Sequence, residues 1–324
     1  MNKKQPLVTI GVPVYNGYPK LKQSLQSLLS QRYNNLEIII SDDHSTDKTA
    51  SIARSFMKKN SNVRYIRQPK RLKLVKNFNA VLKKARGTYF LWHAYDDKRK
   101  PNAIQILVDL LEHHPDATLA ASNVTLANES TRYTYSYPFD YKTHSLHALR
   151  LFLRYPHTVT SLYYGMYRTE FLRKIGGTHD TLLYITLGST DTLTVFQTLL
   201  HGSLVFSDRV LFEKGDSGHY IDKYEVLRQH LFSPNVLKKI IRYFFSPVGI
   251  LYGGTYMTLY TVRSSHTIKN KIRILSWIVN FTIQGLVAYF ARIGLGVWFA
   301  LKGFMPKGRE KDKIHIFEKK TTKF

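Results

Sequence analysis

The apolar positions of this chain change period repeatedly, and each change marks a segment. Leu7–Val14 is a short apolar run with β-branched residues, bounded by Pro6 and by the turn residues Asn16-Gly17, which predicts a buried parallel strand. Leu21, Leu25, Leu28 and Leu29 recur at helical spacing, placing a helix over 21–31. Leu36–Ile40 is a second buried strand that stops abruptly at Ser41-Asp42-Asp43. Ser45-Thr46-Asp47 offers capping side chains to a helix over Lys48–Lys59, and Val63–Arg67 is a third strand. A helix over Asn77–Ala85 ends at Gly87, and Tyr89–Trp92 is a fourth strand with Asp96-Asp97 close behind it. Pro101 opens a helix running to about His113, and Leu119–Ser122 reads as a fifth strand. Alternating strands and helices predict an α/β fold, a mostly parallel sheet with helices on both faces. Ligands of such sheets bind beyond the carboxyl ends of the strands, and both Asp pairs fall there.

From Asn128 to His157 the alternation stops, and a stretch rich in Tyr, Ser, Thr and His reads as an insertion or lid. Order returns with a strand over Ser161–Tyr167, a helix over Thr169–Ile175 ending at Gly176-Gly177, a helix over Thr192–Leu200 and a strand over Leu204–Phe206. After about Tyr224 the character becomes basic and apolar. The organisation expected is an α/β domain over 1–225 followed by a basic helical region over 226–324.

Composition narrows the chemistry. The chain has 324 residues and no cysteine, which excludes disulfide frameworks, zinc–thiolate sites and cysteine nucleophiles. The formal charge is +26. Residues 226–324 hold 17 Lys/Arg against 3 Asp/Glu, whereas 1–225 hold 31 against 19. The tail is thus more than twice as basic per residue, a surface suited to polyanions: lipid head groups, nucleic acid or an acidic glycan. Leu7–Val14 is too short, and interrupted by Pro13, to read as a secretory signal, so the α/β part is expected on the cytoplasmic side.

Several motifs together resemble family 2 glycosyltransferases of the inverting, GT-A-fold type. Val8-Thr9-Ile10-Gly11-Val12-Pro13-Val14-Tyr15-Asn16 looks like that family's opening strand and turn. Ile38-Ile39-Ile40-Ser41-Asp42-Asp43 with His44-Ser45-Thr46-Asp47 looks like its second strand and acidic turn. Asn77-Phe78-Asn79, Ala85-Arg86-Gly87-Thr88-Tyr89 and Trp92-His93-Ala94-Tyr95-Asp96-Asp97 resemble the helix and turn that lead into its metal site. The resemblance is strong over 7–110, weaker to about 220 and absent afterwards. It implies transfer of a sugar from a nucleotide-sugar to an acceptor hydroxyl.

The resemblance also implies roles. Asp96 matches the metal carboxylate, with Mn²⁺ or Mg²⁺ the expected cofactor, because hard oxygen ligands select these ions. Asp97 stands beside it for supporting or acceptor-side work. Ala94 occupies a position where the family often has a further Asp, so either Tyr95 or His93 compensates or metal affinity is lower. Pro13, Tyr15, Asp43 and Tyr95 are the nucleotide-side candidates. Asp43 matches the residue that reads the base, and a carboxylate accepting a ring N–H favours uridine. Asp42 is expected to support its turn. Asp191, in Gly188-Ser189-Thr190-Asp191, matches the general base, with Asp180 as the rival. His201, His219 and Lys214 are phosphate candidates, and Phe212–His219 resembles a mobile loop near the donor. On the bland reading, Asp96-Asp97 and Asp191 are helix caps and Tyr15 a core aromatic.

The tail carries two uncharged stretches, Phe244–Val262 and Ile274–Ala291, with basic residues such as Lys269, Lys271 and Arg273 before the second and Lys302, Lys307 and Arg309 after it. Positive charge on both flanks opposes a single crossing and suits peripheral or re-entrant attachment to an anionic membrane surface, with true spanning and plain core packing as the other readings. The expected partners are therefore a nucleotide-sugar donor, a glycan or lipid-linked acceptor and that surface, with no nucleic acid. Two other readings stay open: a sugar-phosphate nucleotidyltransferase and a non-catalytic polyanion-binding protein. Tyr15-Asn16-Gly17-Tyr18-Pro19-Lys20 offers little of the Gly-rich phosphate loop that the first requires.

Overall fold

The computed structural model describes residues 5–127, 132–136, 139, 142–143, 145–154, 159–179, 189–215, 246–283 and 286. The first half follows the expected alternation: β1 (Val8–Val14), α1 (Lys20–Leu29), β2 (Leu36–Asp42), α2 (Thr49–Lys59), β3 (Val63–Arg67), α3 (Leu74–Lys84) and β4 (Tyr89–Trp92). There follow β5 (Lys98–Arg99), α4 (Ala103–His113), β6 (Leu119–Ala127), β7 (Arg132–Tyr135), β8 (Lys142–Thr143), α5 (Ser145–Arg154) and α6 (Val159–Tyr163). Then come β9 (Met166–Arg168), α7 (Thr169–Lys174), α8 (Ser189–His201), β10 (Leu204–Lys214) and α9 (Ser246–Arg263). Residues 268–283 form a last helix, α10.

All ten strands join one sheet, whose main path runs β3-β2-β1-β4-β9-β6-β10-β5. β3, β2, β1 and β4 are parallel, as are β6 and β10, while β9 runs antiparallel between β4 and β6. Alternate residues of each central strand serve opposite faces. Ile38, Ile40, Tyr89 and Leu91 join Leu21, Leu25, Leu107 and Leu111 on one side. Ile39, Phe90 and Trp92 join Phe78, Val81, Phe152 and Phe196 on the other. Burial on both faces is why β1 and β2 read as continuous apolar runs and not as alternating ones.

Glu37 is a buried charge on β2. It accepts hydrogen bonds from Thr9 Oγ1 (2.7 Å), Arg64 Nη1 (2.7 Å) and Arg86 Nε (2.7 Å). Burial pushes its carboxyl up, but these donors and the Arg86 amide outweigh that and hold it below the usual carboxylate value. It thereby ties β1, β2, β3 and the end of α3 together at the edge of the sheet remote from the Asp pairs.

Three local expectations change. Ser161–Tyr167 is not one strand: 159–163 is the helix α6, and only Met166–Arg168 is extended. A short, mostly apolar stretch fits either period; Gly165 separates the helix from the strand, and the Ser161 hydroxyl donates to the Ser122 carbonyl. The supposed insertion contains α5, whose Ala148, Leu149, Phe152 and Leu153 are all buried in the main core, so 145–154 is structural and no lid. Phe212–Lys214, expected in a mobile loop, belong to β10; Asp216 and His219 lie outside the described residues.

Candidate active site

Two loops at the carboxyl end of the sheet are stitched to each other. The amides of Asn16, Gly17 and Tyr18 donate to Ser45 Oγ (2.9 Å), Thr49 Oγ1 (2.8 Å) and Asp47 Oδ2 (3.0 Å). In return Asn16 Oδ1 accepts from the Thr46 amide at 2.9 Å. The left-handed backbone of Asn16 (φ 50°), a conformation Asn tolerates, allows this turn. Asp42 holds its own turn: Oδ1 accepts from the Ser45 amide and Oδ2 from the Tyr65 hydroxyl. Pro13 is buried in β1 beyond the last residue that pairs with β4, so its missing N–H breaks no ladder bond.

Asp43 and Tyr15 sit where these loops meet the segment after β3. Both Asp43 oxygens accept backbone N–H groups, from Leu72 (2.5 Å) and Lys73 (2.9 Å). Each oxygen keeps a second lone pair. The Arg71 guanidinium lies 3.7 Å from the centroid of the Tyr15 ring. Arg71 has no counterpart among the motifs read from the sequence. Its signal there is only one of five basic residues between Arg67 and Lys76.

The second wall is the turn after β4. The Asp96 carboxylate is half-exposed and has no partner among the described residues. Asp97 is buried, with Oδ1 accepting from the Gly215 amide at 2.9 Å and Oδ2 without a partner among the described residues. Burial pushes the Asp97 carboxyl up to about 7, against the pull of Lys214. Arg99 lies beneath, buried, donating from Nη2 to the carbonyls of Trp92 (3.2 Å) and Tyr164 (2.6 Å), with its guanidinium over Phe212. His93 points inward against Phe212 and is wholly buried, and burial holds its ring far below the usual histidine value. It cannot stand in for the Asp absent at Ala94. Tyr95 is half-buried, its ring packs on Gly17, and burial followed by the charges of Asp96, Asp47 and Asp97 pushes its hydroxyl up.

Asp191 opens the first turn of α8, and its Oδ1 accepts from the Thr192 amide at 2.9 Å. Burial raises its carboxyl above the usual aspartate value, offset partly by that amide and by Lys214. Burial, and after it the charges of Asp97, Asp191 and Asp96, push the hydroxyl of the partly buried Tyr164 up. Lys214, 5.2 Å from the Tyr164 ring centroid, acts on both Asp97 and Asp191. Of the phosphate candidates, Lys214 therefore joins the acidic group, whereas His201 ends α8, the far end from Asp191. Asp180 lies outside the described residues.

The acidic oxygens suit a hard cation: among the described residues one carboxylate has no partner and another an orphaned oxygen. Among the described residues no three His, Asp or Glu converge tightly enough to enclose a metal alone. The turn itself is held closely. A Cβ on Gly215 would lie 1.9 Å from the Asp96 carbonyl oxygen, a backbone atom that cannot swing away. Gly215→Ala is expected to displace the turn, destabilise by about 1–3 kcal/mol and weaken Mn²⁺ binding at least about tenfold, a change of ~1.4 kcal/mol. Melting and metal titration check both effects.

Comparisons with known proteins agree with this architecture. TarS of S. aureus (residues 1–349) superposes with a TM-score of 0.65 at 16% identity, covering 86% of this chain and 72% of that one. A mannosyltransferase of Pyrobaculum calidifontis superposes with a TM-score of 0.51 at 17% identity, covering 94% and 82%. The fold is thus that of GT-A glycosyltransferases. Among curated proteins, an uncharacterized glycosyltransferase of Rickettsia typhi is 35% identical over 117 residues, 34% of this chain and 33% of its own length. One of Haemophilus influenzae is 32% identical over 124 residues, 38% of each chain. The matches span little more than a third of these relatives. The model of the family described as glycosyl transferase family 2 matches residues 9–176, over half of the sequence and all of the strands and turns that carry Tyr15, Asp43, Asp96 and Asp97: the chain belongs to glycosyl transferase family 2.

Proposed function

We propose that the protein is an inverting glycosyltransferase that moves a sugar from a nucleotide-sugar, a UDP-sugar first, to a hydroxyl of a glycan or lipid-linked acceptor. The observation that carries this reading is the turn after β4 in a chain of this family: the Asp96 carboxylate has no partner among the described residues, Asp97 is fixed by the Gly215 amide, and Lys214 lies 5.2 Å from the neighbouring Tyr164 ring. Beside them Tyr95 links the acidic turn to the stitched loops that present Tyr15 and Asp43. Structures of TarS with UDP-GlcNAc and of the mannosyltransferase with GDP-Man and Mn²⁺ support a nucleotide-sugar donor and a divalent cation.

Each residue then has a task. Tyr15, one face of which carries Arg71, offers its other face to the base, and Asp43 an acceptor for its ring N–H. Asp96 would hold Mn²⁺ or Mg²⁺, which would neutralise the charge gathering on the leaving diphosphate. Asp191 takes the proton of the acceptor hydroxyl. The acceptor oxygen bonds to the anomeric carbon from the face opposite the diphosphate, and the carbon–oxygen bond to phosphate breaks with its electron pair leaving on the diphosphate. One displacement inverts the anomeric centre. Asp97 fixes the turn through Gly215.

A thermal-shift panel of UDP, GDP, CMP and duplex DNA, each with and without Mn²⁺, tests the reading. A ligand at a hundredfold excess over its Kd stabilises by about 2.7 kcal/mol, so UDP with Mn²⁺ is expected to raise Tm by several degrees and EDTA to reverse it. Stabilisation by DNA alone would favour the polyanion-binding alternative. A donor-hydrolysis screen then names the sugar.

A further inference from the structure

α9 and α10 form an antiparallel hairpin fastened to the α/β body. A Cβ on Gly254 would lie 2.5 Å from Thr282 Oγ1, Lys271 Nζ donates to the Val262 carbonyl at 2.8 Å, and the two pairs fix the antiparallel register. Met257, Ile274 and Ile278 are buried in the same cluster as Trp92 and Phe196, and the His266 ring bonds the Leu200 carbonyl at the end of α8.

The opposite side of this hairpin is apolar and faces outward. Of nine large hydrophobic residues exposed among the described residues, six are here: Leu259, Val262, Ile268, Ile272, Val279 and Ile283. The four isoleucine and valine residues of α10 stand at spacings of 4, 7 and 4, one line along the helix, separate from the line of Ile274 and Ile278 that faces the core. Ile268 is 78% exposed. Water-facing aliphatics at this density mark a contact surface. The charged residues of 246–283 are Arg263, Lys269, Lys271 and Arg273, with no Asp or Glu.

We propose that this face lays the protein on an anionic lipid bilayer, the isoleucine line entering the acyl boundary and the flanking cations meeting lipid phosphates. Charge selects this occupant. A symmetric second copy would set the same patch against itself, Lys and Arg against Lys and Arg, while an anionic leaflet neutralises them. The sequence beyond the hairpin adds Lys302, Lys307, Arg309, Lys311 and Lys313. No helix among the described residues is long and apolar enough to cross a membrane, which fits a helix lying in the interface. The inference stands apart from the transfer chemistry, since none of these residues touches the acidic group.

Flotation of the full chain with vesicles of phosphatidylcholine, alone or mixed with phosphatidylglycerol, tests it. Binding is expected only with the anionic lipid and is expected to weaken at high salt. Ile272→Glu with Val279→Glu should reduce partitioning by at least about tenfold per side chain, and Lys269→Glu with Arg273→Glu by about fivefold per lost charge. Ile272→Ser with Val279→Ser repeats the first pair without added charge, and Met57→Glu, exposed on α2, should change nothing. Tm and UDP binding report folding. Unchanged flotation of both hairpin pairs, equal binding to neutral vesicles, or a dimer in light scattering that the Ile272/Val279 pair dissolves would each overturn the proposal.

Discussion

Asp96→Ala is expected to abolish sugar transfer while leaving the fold unchanged. The carboxylate is half-exposed and has no hydrogen-bond partner among the described residues, so its removal strands no buried group, and Tm should change little. What disappears is the anionic oxygen offered to the cation beside the diphosphate. Such a cation supplies several kcal/mol of transition-state stabilisation, so kcat/KM should fall by roughly 10³ or more. Calorimetric titration with Mn²⁺ in the presence of UDP should lose its metal-dependent heat. Near-wild-type, metal-dependent activity in the variant would rule out the assignment of Asp96.

Asp191→Asn should spare the donor and lose the acceptor step. The amide is nearly isosteric and can still face the Thr192 amide, but it cannot take a proton. Loss of a general base costs about 10²–10⁴ in rate, whereas donor affinity should change by less than about 1.4 kcal/mol, a factor of ten. The wild-type pH profile carries a second signature. Burial raises the Asp191 carboxyl, and a base with a raised value loses activity as pH falls through it. The acid limb of kcat should therefore begin above the usual aspartate range. Should Asp191→Asn transfer normally while Asp180→Asn does not, the base is Asp180; should both transfer normally, Asp97 and Asp216 are next.

The sheet was legible because its central strands are buried on both faces, and such strands announce themselves as unbroken runs like Val8–Val14 and Leu36–Ile40. The Asp pairs were legible because a parallel sheet puts strand ends at one edge. What escaped the sequence is what non-local pairing creates. Ser161–Tyr163 is helical, with Ser161 bonded to the Ser122 carbonyl across the fold, a partner no local pattern reveals. Arg99 and Tyr164 become partners only when β5 pairs with β10 and the turn after α6 comes over Trp92. Lys214 stood out as a phosphate candidate, but its place between Asp97 and Asp191 needed the length of β10, which runs eight residues past the expected Phe206. Arg71 sits in a basic stretch in which composition alone distinguishes no member.

The three amides of Asn16, Gly17 and Tyr18, fastened to Ser45, Thr49 and Asp47, have a consequence for affinity. Association pays for every loop that must be ordered at the moment of binding, and here the floor beneath Tyr15 is already ordered by bonds within the protein. The clasp of Leu72 and Lys73 on Asp43 acts in the same sense, since it fixes the carboxylate that the base would address and leaves each oxygen a lone pair. Donor variants should therefore differ little in association rate and mainly in residence time. Loosening the stitch, for example with Asn16→Ala, should show itself as an added entropic penalty on nucleotide binding.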